Sequence, residues 1–192
     1  EGSMSTVKSK KLQVGTDASA SNNFTIYQPS TPDGTLRIGQ GTADNPTEVG
    51  QFNANGYKPA SPHLFYAKGT TGQSISGSTW TVLQVGDEVY DTDSEFDTST
   101  YRFTPTVAGY YQLNGTFMKT TASNHHIIGF WKNGSKFVQG TYATNDQYTV
   151  STSCIIYMNG STDYVTMMGY SNNAVTSNAT NTHYQGHLVA QA

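Results

Sequence analysis

Four carboxylates fall within the stretch "DTDSEFD": Asp91, Asp93, Glu95 and Asp97. Carboxylates this dense suit one of two kinds of chemistry. A glycoside hydrolase needs two of them several ångströms apart across a cleft, one as acid and one as base or nucleophile. A cation needs oxygens converging on one point, and Asp91, Asp93 and Glu95, at i, i+2 and i+4, can gather around calcium. Crowding into one short loop suits a turn or a cation better than an acid–base pair. The loop lacks the glycine and the terminal glutamate of the twelve-residue helix–loop–helix calcium site. It therefore reads as a solvated acidic turn, and no cofactor is expected, neither calcium nor an ion on a symmetry axis.

The other reactive residue types are sparse. His125 and His126 are adjacent, so on a strand they face opposite sides. His183 and His187 share a face but stand ~13 Å apart at ~3.3 Å per residue, too far to chelate one ion within a chain. An axial ion would need one histidine from each of several chains. The single cysteine, Cys154, lies in the apolar run "STSCIIYM" and reads as a buried small hydrophobe; no disulfide within the chain is available. There is no G-x-S-x-G nucleophile elbow, no H-E-x-x-H and no phosphate-binding glycine loop. An enzyme is not expected.

Composition narrows the partners. The 192 residues hold 10 Lys+Arg against 13 Asp+Glu, a net charge of −3, so no basic surface points to nucleic acid. Charged residues make up 12% of the chain, about half the usual share, and Ser, Thr, Asn, Gln, Gly and 13 Tyr carry the polarity instead. A neutral surface rich in hydrogen-bonding groups fits extracellular and virion fibres. No apolar stretch is long enough for a transmembrane helix, and no signal peptide is visible. The opening "EGSM" (1–4) reads as a cloning remnant.

The elements that position these residues are strands. No window repeats its apolar positions at 3.6, whereas short period-two runs recur between Gly, Asn, Asp and Pro. Residues 5–60 are short β fragments between turns, with "LQVG" at 12–15 returning as "LRIG" at 36–39. Two copies are too few to establish a solenoid. The segment has too few large apolar residues for a core of its own. "NGYKPASP" (55–62) is a turn and linker, which puts a boundary near residue 60. Residues 61–192 are denser. Strands are expected at 63–69, 80–85, 88–92, 101–105, 109–120, 126–132, 135–140, 147–158, 163–171 and 183–190. Asn133-Gly134 is the strongest hairpin signal, and Asn159-Gly160 marks a second tight turn. Ten short strands at this spacing predict an all-β sandwich or jelly roll.

Several strands are apolar on both faces. Ile155 and Tyr157 lie opposite Cys154, Ile156 and Met158; Tyr164, Met168 and Tyr170 lie opposite Val165 and Met167; Ile127 and Trp131 lie opposite Ile128 and Phe130. A lone sandwich needs only its inner faces apolar. With no helix to cover the outer faces, another copy of the domain is the simplest cover, and Tyr157, Tyr164 and Met168 are candidate interface residues. Trp80, Trp131, Tyr110 and Tyr111 read as core or interface first and as sugar platforms second.

"EFDTSTYRFTPTVAGYYQLNGTF" (95–117) resembles the globular head of the C1q/TNF-like family: Phe96-Asp97, then Arg102-Phe103, then Gly109-Tyr110-Tyr111. "FWKNGSKF" (130–137), "GSTDYVTM" (160–167) and "HYQGHLVA" (183–190) extend the match in order over about 130 residues. The family's "G-D" step reads Ser161-Thr162-Asp163 here, one residue displaced, and no cluster reproduces the calcium site some members carry. The resemblance implies a ten-stranded jelly-roll head that trimerises and binds ligands without catalysis. "LQVGTDASASNNFTIYQPSTPDGTLRIGQG" (12–41) resembles the shaft segments of bacteriophage tail fibres.

The expected organisation is a β shaft over 5–60 and a jelly-roll head over 61–192. Alternating antiparallel strands put the turns at 133–134 and 159–161 at one end, and the longer connections 121–125, 141–147 and 171–182 at the other. Those longer loops are neutral and rich in Asn and Thr, and long loops on a rigid scaffold carry function more often than tight turns. Asn124, Tyr142, Asn145, Asn172, Asn173, Asn178 and Asn181 are the candidate receptor-binding residues, and a neutral glycan is the ligand class they suit. The expected role is the host-binding tip of a trimeric phage tail fibre, located on the virion. A C1q-like adhesin of a cellular organism and a structural virion decoration protein are the alternatives.

Overall fold

The computed structural model describes residues 11–15, 17–19, 22–41, 46–59, 61–121, 125–144 and 148–192. The chain divides into two compact units, Glu1–Ser61 and Pro62–Ala192.

The first unit is a five-stranded antiparallel meander in chain order: β1 (Lys11–Val14), β2 (Phe24–Tyr27), β3 (Leu36–Gly41), β4 (Pro46–Asn53) and β5 (Gly56–Pro59). The "LQVG" and "LRIG" copies fall on β1 and β3. Asn23 organises the first turn. Its side chain accepts the Asp17 N–H at 3.0 Å and donates to the Asp17 carbonyl at 2.7 Å. The buried positions are Asn23, Thr25, Gly39 and Gly50, all small or polar. Among the described residues no large apolar side chain is buried in this unit, while Leu12, Val14, Phe24, Leu36, Phe52 and Tyr57 are exposed. A single sheet has no second layer to bury its apolar face against.

The second unit is a two-layer sandwich. Its elements are β6 (Leu64–Lys68), β7 (Ser74–Ile75), β8 (Thr81–Val82), β9 (Asp87–Asp91), β10 (Phe96–Asp97), β11 (Arg102–Phe103), β12 (Ala108–Met118), β13 (His125–Lys132), β14 (Ser135–Thr144), β15 (Thr149–Asn159), β16 (Val165–Ser171), β17 (Val175–Thr176) and β18 (His183–Gln191). One sheet runs β10-β11-β16-β13-β14, with β8 on the edge of β16; the other runs β15-β12-β18-β6-β9. A short β17-β7 pair lies outside both.

Strict alternation on β12 shows how the sequence builds this layer. Tyr111, Leu113, Gly115 and Phe117 point inward and are buried, while Tyr110, Gln112, Asn114 and Thr116 point outward. Phe65 is the hub of the core: its ring lies 4.5 Å from Phe103 and 5.0 Å from Phe96, both stacked, and 4.9 Å from Tyr184 edge-on. The "R-F" and "F-D" steps are therefore strand fragments that each anchor one aromatic. Gly115 lets the layers close, because a Cβ there would lie 2.6 Å from the Met167 sulfur and 3.1 Å from the Phe130 ring.

The all-β jelly roll matches the sequence expectation, with corrections in detail. Only Thr81–Val82 of the expected strand 80–85 pairs; the Gln73 side chain ties the rest, donating to the Val82 carbonyl at 2.8 Å and accepting the Gln84 N–H at 2.9 Å. Phe96–Asp97, not expected as a strand, pairs with Arg102–Phe103 at the edge of the same sheet. The strand expected at 135–140 continues to Thr144, so Tyr142 stands on a strand and not in a loop.

Candidate functional site

The longer connections gather at one end of the sandwich, as the antiparallel parity predicts. The Asn178 N–H donates to the Met118 carbonyl at 2.7 Å, Thr120 N–H to the Thr176 carbonyl at 2.8 Å and Lys119 N–H to the Tyr148 carbonyl at 2.9 Å. The far end carries the tight turns. There Asn133 donates to Asp163 at 2.7 Å and accepts the Tyr164 N–H at 2.9 Å, and Lys132 pairs with Asp163 at 2.7 Å. Lys132 and then Asn133 hold the Asp163 carboxyl below its ordinary range. The chain enters this unit at the tight-turn end, where the His63 carbonyl accepts the Leu188 N–H at 3.0 Å.

The candidate asparagines divide by what their side chains already do. The Asn172 carboxamide oxygen accepts the His125 N–H at 3.0 Å, and that of Asn178 accepts the Asn181 N–H at 2.9 Å. These two shape the loop. Asn173 and Asn181 are exposed. Asn124 and Asn145 lie outside the described residues.

Tyr142 is exposed and heads a row of rings on the outer face of the β16-β13-β14 sheet. It stacks on His125 with centroids 5.2 Å apart, and His125 stacks on Tyr170 at 5.8 Å. Trp80 continues the row, 5.5 Å from Tyr170 and 4.5 Å from Trp131, and the Lys136 ammonium lies 4.8 Å from the Trp80 ring centre. The row needs register as well as sequence: β13 and β16 pair Ile127 with Tyr170, and Trp80 arrives from the segment before β8. Trp80 also corrects an expectation, since the apolar outer side of β13 and β16 is covered in part by this chain's own tryptophan. His125 and Tyr170 were not singled out from the sequence as binding candidates. The outward parity of His125, shared with Ile127 and Trp131, was the available signal.

The outer face of the β15-β12-β18 sheet differs. Tyr110 and Tyr157 are register partners with rings 5.6 Å apart, and Ile155 and Val189 beside them are more than half exposed. Toward the loop end this face turns polar: Gln112 donates to Ser153 at 2.7 Å and Ser153 to Asn114 at 3.0 Å. Of the three candidate interface residues only Tyr157 stands here. Tyr164 lies under the Arg102 guanidinium, 4.1 Å from its ring centre, and Met168 is on the outer side of the other sheet. The fold does not bring the three together.

The acidic stretch is not simply solvated. Asp91 faces its own loop, accepting the Phe96 N–H at 2.7 Å and the Asp93 N–H at 3.2 Å. Asp97 caps the next turn through Ser99 and Thr100, which hold its carboxyl down at about 2. Glu95 is buried and accepts both the N–H and the hydroxyl of Thr106, at 2.7 and 2.6 Å. His63 joins Asp93 and Glu95, with Nδ1 3.3 Å from one carboxylate and 3.2 Å from the other. Spacing could not reveal His63, which is distant in sequence. Burial, and behind it the Glu95 and Asp93 charges, raises the nearby Tyr111 phenol, whose hydroxyl donates to the Val107 carbonyl at 2.9 Å. Cys154 is raised to about 11 by burial, which keeps it an unreactive thiol.

No protein-family model matches the sequence, and no curated protein matches it. Solved structures do share its fold. The globular domain of zebrafish complement 1qA protein is 12% identical with a TM-score of 0.52, over 68% of this chain and 99% of that one. Eiger TNF from S. frugiperda is 10% identical with a TM-score of 0.53, over 69% and 95%. Murine APRIL is 11% identical with a TM-score of 0.53, over 66% and 98%. The fold is therefore a C1q/TNF-like jelly roll.

Proposed function

We propose that this C1q/TNF-like chain is the receptor-binding end of a homotrimeric fibre, most simply a bacteriophage tail fibre, that attaches to a neutral glycan on a host surface. One observation carries the assembly. The first unit buries no large apolar side chain among its described residues and exposes six or more, so it requires cover. The tyrosine, isoleucine and valine patch at Tyr110, Ile155, Tyr157 and Val189 needs the same on the second unit. Identical copies cover both at once, and the fold resemblance favours three. The same pattern argues against an isolated decoration module, although a C1q-like adhesin of a cellular organism shares all of this physics.

The ligand end is the loop end. Its exposed groups include Tyr142, Asn173 and Asn181, uncharged donors and acceptors beside the aromatic row that runs through His125 to Trp80. Ring faces and amide groups are what a neutral sugar uses, and charged contacts are few. Three tips held together raise weak single contacts by ~10²–10⁴ in avidity when spanned at once. Catalysis has no part in this reading. The test is attachment of the labelled full chain to a panel of candidate host cells, with and without Tyr142→Ala. Binding that needs Tyr142 and changes little with salt supports the proposal. Binding that is lost in moderate salt and indifferent to Tyr142 contradicts it.

A further inference from the structure

His63, Asp93 and Glu95 come from two segments far apart in sequence, one leading into β6 and one linking β9 to β10. Their donor atoms, one imidazole nitrogen and two carboxylate oxygens, all lie within 4.8 Å of one another. Nδ1 is 3.3 Å from Asp93 Oδ2 and 3.2 Å from Glu95 Oε1. Ligands about 2.0–2.1 Å from a tetrahedral ion stand about 3.3 Å apart. Two of the three edges therefore already have the length of a coordination shell.

The surroundings fit a cation. The side chains of His63, Asp93 and Glu95 are 12%, 19% and 1% exposed. Two carboxylates and one imidazole nitrogen converge in this poorly solvated place, a mixed donor set of the kind that ligates a cation. The two oxygens that face His63 Nδ1 are also held in place by other donors: Glu95 Oε1 by the Thr106 N–H and hydroxyl, and Asp93 Oδ2 by the Thr92 hydroxyl at 2.7 Å. Metal-binding carboxylates are held in this way. His63, and Ser94 between Asp93 and Glu95, both adopt positive φ, 43° and 56°, an uncommon conformation for residues other than glycine.

We infer that His63, Asp93 and Glu95 form a site for a divalent cation of the zinc class. Mixed imidazole and carboxylate ligation suits zinc and its neighbours, whereas magnesium and calcium prefer oxygen alone. Water completes the shell. The ion ties the entry of the chain into the sandwich to the β9–β10 connection, and it contributes stability independently of receptor binding.

The test uses the full chain after dialysis against chelator. Zinc chloride, and magnesium chloride as control, are added in calorimetry and thermal melts. Zinc is expected to bind with one equivalent per chain and to raise Tm by about 5 °C at saturating concentration, with no response to magnesium. Asp93→Asn and His63→Gln are expected to lose the zinc response. Cobalt provides a readout that needs no variant: one equivalent should give the intense visible bands of a four-coordinate centre. The absence of zinc heat and of any Tm change, an unchanged zinc response in both variants, or a cobalt spectrum equal to that of the aqueous ion would each overturn the assignment and leave an ion-paired histidine.

Discussion

Asn172 and His125 are joined by two hydrogen bonds: the His125 N–H donates to the Asn172 carboxamide oxygen at 3.0 Å, and the Asn172 N–H donates to the His125 carbonyl at 3.2 Å. The pair ties the β16–β17 connection to the start of β13. It also sets the ring on which Tyr142 and Tyr170 stack.

Asn172→Ala therefore removes a structural bond, at an expected cost of about 1–2 kcal/mol. Asn173→Ala, at an exposed position, should stay within about 0.5 kcal/mol. Thermal melts of the two variants check this. Equal Tm values would show that the carboxamide contributes nothing, and only variants at Asn173, Asn181 or Tyr142 isolate binding from folding.

Charging the outer face of β15 should dissociate the proposed trimer. Ile155→Lys and Tyr157→Glu change exposed side chains, so the monomer fold should persist in circular dichroism. Light scattering should then fall from about three times 20.8 kDa to the mass of one chain. A mass unchanged in both variants would place the contact on another face.

Acid should loosen the sandwich through His126. Burial first, and the Lys119 ammonium second, lower this histidine from its ordinary value to about 4. Between pH 6.5 and about 4 the unfolded chain binds a proton that the folded chain refuses. The associated stability is complete above pH 6.5 and is lost as pH falls toward 4, by up to about 3 kcal/mol. Denaturant midpoints over this range should fall more steeply for the native chain than for His126→Leu. Parallel profiles would rule this contribution out.

Two glycines at the tight-turn end should respond differently. Gly160 has φ +70° and a Cβ there would collide with the Ala108 backbone, so Gly160→Ala should cost several kcal/mol or prevent folding. Gly134 has φ +79°, with only the Tyr164 hydroxyl near its Cβ position, at 3.6 Å. Gly134→Asn should lower Tm by a few degrees at most, because asparagine tolerates the left-handed region.

The two units should differ in autonomy. Residues 62–192 alone should melt cooperatively, since every large buried apolar side chain among the described residues lies there. A peptide of residues 11–59 should stay unfolded at micromolar concentration, because it has too little burial to offset about 1–2 kcal/mol of backbone entropy per residue. A cooperative transition in that peptide would contradict this.

The period-two patterning, the Asn-Gly turns and the count of short strands determined the all-β class, the two-layer jelly roll and which connections share an end. These are local properties: side-chain parity and turn chemistry act over a few residues and survive without knowledge of partners. What sits over a face was not local. Ile127, Trp131 and Tyr170 looked like a surface awaiting another copy, but Trp80, which tertiary folding brings from before β8, lies against Trp131 and Tyr170 and covers part of it. Ile155 and Tyr157 looked the same and stay exposed among the described residues of their unit. Tyr142 read as a loop residue because β14 runs four residues past its apolar pattern, held by pairing with β13. The acidic run read as solvated because spacing cannot show burial, and Glu95 is buried with Thr106, from beyond β11, supplying two donors to its carboxylate. His63 joins Asp93 and Glu95 because strand pairing, and not sequence distance, decides which side chains meet.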